Sequence, residues 1–115
     1  MSIVQISQAH GRVPVTLFHI QDRVNLGNYR ELEETAREAR ANGMKDLVID
    51  LSQTPSLTSI GIRSLAVIYK MLATDEAKHL KLAGAIEPIR EMLQIAGLAE
   101  TIEMYDTVEE AVASF

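Results

Sequence analysis

Two adjacent hydroxyls, Thr58 and Ser59, stand between the apolar run Leu47-Val48-Ile49-Asp50-Leu51 and a helix-like segment over residues 60–73. A strand, a short loop and a helix start read this way. The stretch Leu57-Thr58-Ser59-Ile60-Gly61-Ile62-Arg63 then carries a hydroxyl to the positive end of the helix dipole, where a phosphate can be held. Two roles suit that place. A side-chain oxygen can cap the orphan amides of the first turn. A phosphate on Ser59 would add about −1.5 to −2 charges near those amides, so the fold could carry it while the surface potential changed sharply. The roles are not exclusive, and the second makes the chain a switch.

A nucleophilic serine is the enzymatic rival, but Thr-Ser-Ile-Gly lacks the Gly-X-Ser-X-Gly context of a nucleophile elbow. The three histidines offer no evident base: His10 reads as a hairpin turn, His19 as inside or ending a strand, and His79 as the start of another. No catalytic residue is assigned, and the chain is read as no enzyme. Metal binding is not expected either. Glu31, Glu33, Glu34 and Glu38 read as a solvated helix face, and Asp75 and Glu76 as helix-end or loop charges. Nucleotide-binding glycine motifs are absent, so no cofactor is expected.

Composition narrows the class further. With 115 residues, 47% hydrophobic and 23% charged, the chain has the balance of one globular domain over 1–115. Its apolar runs are too short to cross a membrane, and the first eight residues lack a signal-peptide pattern, which together suggest a cytoplasmic protein. The absence of cysteine fits that location. A net charge of −5, with two Phe, three Tyr and no Trp, argues against direct nucleic-acid binding. A protein partner or small ligand fits better.

The elements that must position the hydroxyls follow from pattern. Ile3-Val4-Gln5-Ile6-Ser7 and the run from Val13 to Ile20 are strands joined through His10-Gly11-Arg12, with Pro14 at an edge or strand start. A helix begins after Asn28 as N-cap, with Glu31 completing a capping box; Tyr29, Leu32, Ala36 and Ala39 form its face, Glu33 pairs with Arg37, and Asn42-Gly43 ends it. Leu47 to Leu51 reads as a central strand buried on both faces. In the next helix Ile62, Leu65, Ala66, Tyr69 and Leu72 take core-facing spacing. His79 to Ala83 is a further strand, and Pro88 opens a helix with Ile89, Leu93 and Ala96 inward before Gly97. Thr101 to Tyr105 makes a short last strand, and Thr107 caps a final helix lined by Val108, Ala111, Val112 and Phe115. The order ββαβαβαβα predicts an α/β fold: a mixed sheet of about five strands, opened by an antiparallel hairpin and continued by βα crossovers, with about four helices. The Ser59 loop follows a strand's carboxyl end, where open α/β sheets place their sites.

Ile60, Arg63, Val67 and Lys70 fall on one stripe of the helix after Ser59. Either Ile60 and Val67 bury under a neighbouring loop, or they form a small apolar contact rimmed by cations and suited to an acidic partner. A phosphate beside them would pair with Arg63 or deter that partner.

Over nearly its whole length the chain resembles a STAS domain, the family of anti-sigma factor antagonists and related bacterial regulatory modules. The likeness rests on the hairpin, Asp22-Arg23-Val24-Asn25-Leu26-Gly27-Asn28-Tyr29, the Asp50 strand, Thr58-Ser59-Ile60-Gly61-Ile62-Arg63, and Met92-Leu93-Gln94-Ile95-Ala96-Gly97-Leu98. The resemblance implies that Ser59 matches the family's phosphorylated loop residue, with Thr58 the alternative acceptor. It implies that the unmodified form binds an anti-sigma factor with serine kinase activity, and that phosphorylation ends binding. A PP2C-type phosphatase would reverse this, and ATP belongs to the kinase. The expected contact surface is Asn25, Thr58, Ser59, Ile60, Gly61, Arg63, Val67 and Lys70; a homodimer is also admitted. Where the family often carries aspartates and a second loop serine, this chain has Asn25, Thr58 and Ile60. That apolar substitution motivates a second expectation, an unphosphorylated adaptor such as the STAS subunit of a lipid-transport ABC ATPase complex.

Overall fold

The computed structural model describes residues 2–73 and 79–115. Asp75 and Glu76, expected as helix-end or loop charges, lie outside the described residues. The chain forms β1 (Val4–His10), β2 (Pro14–Ile20), α1 (Tyr29–Ala41), β3 (Leu47–Asp50), α2 (Ser59–Leu72), β4 (Leu80–Ala83), α3 (Glu87–Ile95), a 3-10 turn (Leu98–Glu100), β5 (Glu103–Tyr105) and α4 (Val108–Ala113). The strands lie side by side in chain order, β1 antiparallel to β2 and every later pair parallel. β3 takes the centre, as its continuous apolar run requires.

Strand alternation divides the side chains between two layers. Phe18, Ile20, Leu47, Ile49, Leu80 and Leu82 face one side, where Leu32 and Ala36 of α1, Leu65 and Ile68 of α2, and Ile89 and Leu93 of α3 close over them. The opposite registers, Val15, Leu17, Val48 and Ala83, meet Ala111 and Val112 of α4. Lys81 belongs to this second face and is buried, yet its ammonium is satisfied: Nζ donates to the Ser114 carbonyl at 3.0 Å and hydroxyl at 2.7 Å and lies 4.3 Å from the Phe115 ring centroid. That contact fastens the C-terminal helix to the sheet.

Pro14 opens β2, where its missing amide costs no interior ladder bond. Thr107 caps α4 by accepting the Glu110 N–H at 3.1 Å. Several local expectations give way to longer-range contacts. Asn28 stands at the N-cap of α1 without a side-chain cap bond. Its amide instead takes the Asn25 N–H at 2.8 Å and donates to the Arg23 carbonyl at 2.8 Å, folding the approach loop. Glu31 reaches back to Ser2 Oγ and the Ile3 N–H, so the capping box is replaced by a clasp on the N-terminal segment. Glu33 does not pair with Arg37; it accepts the buried Ser64 hydroxyl at 2.7 Å and ties α1 to α2, while Arg37 turns to Glu34. The inner face of α2 is Gly61, Ser64, Leu65, Ile68 and Leu72. Ile62, Ala66 and Tyr69, expected inside, are half-buried, because the approach of Val24 to Gly61 and the bond from Ser64 to Glu33 turn the neighbouring face inward. Ala96 caps α3 at the surface and does not join its inner face.

Candidate functional site

β3 ends at Asp50, and residues 51–58 cross to the start of α2. Asp50 Oδ1 accepts the Ser52 N–H at 3.0 Å and so turns the chain at the strand end. Gly84, at φ +72°, lies against this turn: a Cβ there would sit 3.0 Å from Ser52 Cβ and 3.1 Å from Asp50 Oδ1. The loop then pairs with the segment after β2 through a parallel bridge between Val24 and Leu57.

At Thr58 the backbone is extended, and its hydroxyl does two jobs. Oγ1 donates to the Val24 carbonyl at 2.9 Å and accepts the Gly61 N–H at 3.3 Å, the bond that caps α2. Ser59, which the sequence also allowed as cap, is the first helical residue, exposed, with no hydrogen bond to its hydroxyl among the described residues. The first turn of α2 carries no acidic side chain to offset the dipole. Arg63, one turn further, is exposed. An anion on Ser59 would therefore meet free helix polarity and a nearby guanidinium.

Val24 brings the expected contact residues together. Its carbonyl holds Thr58 while its side chain abuts Gly61, where a Cβ would come within 3.0 Å of Val24 Cβ and 3.1 Å of its carbonyl oxygen. Asn25 follows directly, half-buried, its Oδ1 accepting the Gly27 N–H at 2.8 Å. Asn25, Thr58 and Ser59 thus share one end of the sheet, with Gly61 buried beneath them. Ile60 and Val67 are half-buried and Arg63 and Lys70 exposed, an arrangement between the two expected for the stripe. Sequence reasoning passed over Leu26, 74% exposed in the loop beside Asn25, and Ile86, which borders a shallow hollow of about 330 Å³ with Gln21, Ser52 and Pro55. An apolar residue set in a polar, glycine-containing loop was the available signal for Leu26.

The histidines lie away from Ser59 in sequence and take other partners. His10 ends β1, exposed, and not in the turn. His79 stands directly before β4, buried, with Asp46 at 2.7 Å. His19 lies between Ser7 Oγ at 2.9 Å and Asp50 Oδ2 at 2.8 Å. Burial pushes the Asp50 carboxyl up, but the Ser52 bonds and His19 outweigh it and hold it below the ordinary carboxylate value. A depressed folded-state value stabilises the fold above the unfolded-state value, near 3.9, and that contribution is lost as pH falls through the folded value. The urea midpoint of the native chain is therefore expected to fall below about pH 4 more steeply than that of Asp50→Asn, and parallel acid profiles would contradict this.

A leading hairpin, a parallel sheet grown from it, and a serine displayed where the central strand feeds its helix define a small α/β domain that presents a hydroxyl-bearing loop. It is a STAS domain: the family matches residues 6–111, and the chain belongs to it. Among solved structures the fold is similar to an anti-sigma factor antagonist from Mycobacterium paratuberculosis, with 24% identity, TM-score 0.83, and 96% of this chain and 91% of that one covered. It is similar to an anti-sigma-factor antagonist (STAS) domain protein from Planctomyces limnophilus, with 19% identity, TM-score 0.84 and coverage of 99% and 98%. It also resembles the Bacillus cell fate determinant SpoIIAA in its phosphorylated form, with 15% identity, TM-score 0.69 and coverage of 95% and 96%. At these identities the likeness is one of fold. No described helix is long and apolar enough to cross a membrane.

Proposed function

We propose that this STAS domain is an anti-sigma factor antagonist that binds an anti-sigma factor with serine kinase activity and is released by phosphorylation of Ser59. The observation that carries the reading is the division of labour at the helix start. Thr58 is spent on Val24 and Gly61, whereas Ser59 is exposed with its hydroxyl unengaged. A phosphate there would leave the cap intact and be favoured by the helix terminus, so modification would change the surface without unfolding the domain. The docking surface would run from Asn25 over the loop to Arg63, Val67 and Lys70 of α2, and a PP2C-type phosphatase would restore it. The likeness to phosphorylated SpoIIAA supports the reading at the level of fold.

The test is intact-mass and peptide mass spectrometry after incubation with ATP and the cognate kinase. One phosphate is expected, on Ser59, retained in Thr58→Ala and lost in Ser59→Ala. Stoichiometric phosphate elsewhere, with Ser59→Ala unaffected, would overturn the assignment. Pull-down of a transporter ATPase without any kinase would favour the adaptor role instead.

A further inference from the structure

Three side chains outside the Ser59 loop stand in the order nucleophile, base and orienting acid. Ser7 comes from β1, His19 from β2 and Asp50 from β3, all on the face that carries Leu17 and Val48. α4 covers that face over Val15, Leu17, Val48 and Ala83; His19 and Asp50 lie one register further toward the carboxyl ends of their strands. Ser7 and His19 are half-buried and Asp50 is buried.

The proton positions follow from the acid. An ionised Asp50 only accepts, so His19 Nδ1 carries the hydrogen of the 2.8 Å contact. In the neutral ring Nε2 is then the acceptor, and the 2.9 Å contact is donated by the Ser7 hydroxyl. That is the arrangement in which a serine is activated by general base catalysis.

We infer that Ser7 is an activated nucleophile, with His19 its general base and Asp50 a positioning residue, and that it takes acyl groups from small activated esters. Ser7 Oγ attacks the acyl carbon while its proton passes to His19 Nε2. The bond to the leaving oxygen then breaks as His19 returns the proton to that oxygen. Water repeats the sequence on the acyl-serine, releasing the acid and regenerating Ser7. This site is independent of the regulatory reading of Ser59.

The experiment labels the purified chain with a fluorophosphonate probe, maps the adduct by mass spectrometry, and follows p-nitrophenyl acetate turnover. Expected is phosphonylation of Ser7, abolished in Ser7→Ala. His19→Gln should slow labelling by about 10²–10⁴-fold. Asp50→Asn should slow it comparably while circular dichroism stays native, because its amide donates to Nδ1 and moves the ring proton to Nε2, where it blocks the base. An unlabelled Ser7 overturns the inference. So does a Ser7 labelled equally fast in His19→Gln and Asp50→Asn, which would make it an ordinary surface serine.

Discussion

Phosphorylated Ser59 is expected to weaken binding to the kinase partner about a hundredfold, or ~3 kcal/mol, and Ser59→Glu about tenfold. The difference follows from charge: phosphate brings about −1.5 to −2, glutamate a single unit. The loss arises at the surface and not in the fold. An anion at an exposed helix N-terminus is worth about 0.3–1 kcal/mol in favour of the helix, so the melting temperature should hold or rise slightly while affinity falls. Titration calorimetry of the unmodified, phosphorylated and Ser59→Glu forms checks this, with Ser59→Ala keeping native affinity. Because the charge is exposed, the gap should narrow as salt is raised. Equal affinity of the phosphorylated and unmodified forms would show that the partner docks elsewhere.

Gly61→Val is expected to cost about 2–3 kcal/mol, lowering the melting temperature by roughly 8–12 °C. Two effects oppose each other. A residue other than glycine inside a helix gains up to about 1 kcal/mol in backbone propensity. Against this, the Cβ at position 61 would sit 3.1 Å from the Val24 carbonyl oxygen, which is main chain already held by Thr58. A flexible side chain could swing aside; this carbonyl cannot move without releasing the cap. Overpacking of that kind costs about 1–3 kcal/mol, and valine adds branching on top of the Cβ. Thermal unfolding of Gly61→Ala and Gly61→Val gives the sign. If alanine stabilises the chain, the neighbouring segment has given way and the close approach is not a constraint.

The architecture was legible because it depends on repeating signals. Alternating β-formers around Gly11, helical spacing from Leu32 to Ala39 and the unbroken apolar run at β3 each describe a whole element, and their order leaves few topologies. The display of Ser59 was half legible. A hydroxyl cap at residues 58–59 could be read, but which of two adjacent hydroxyls takes it depends on Val24, a residue 34 positions before Thr58. The same limit explains Glu31 and Glu33. Local rules assigned them to a capping box and to Arg37, whereas the fold offered partners in Ile3 and Ser64 whose proximity is tertiary. In α2 Leu65 and Leu72 were read as inward and are, but Gly61 and Ser64 do not register as core residues until Val24 and Glu33 are known to press on them. Ser7, His19 and Asp50 had no sequence signal at all. Their meeting requires three strand registers at once, and a slip by one residue would turn any of them to the other face.

The strand order of the sheet repeats the order of the chain. No strand is inserted between two earlier ones, so during synthesis each new strand can add to an edge already made. Assembly can keep pace with the ribosome, and no early strand waits for a late one to fill the middle of the sheet. The growing edge stays open until the three residues of β5 cover it. A stall between β4 and β5 would therefore leave unpaired a β4 edge whose four residues are all buried in the finished fold, an apolar template on which two nascent chains of this protein could pair.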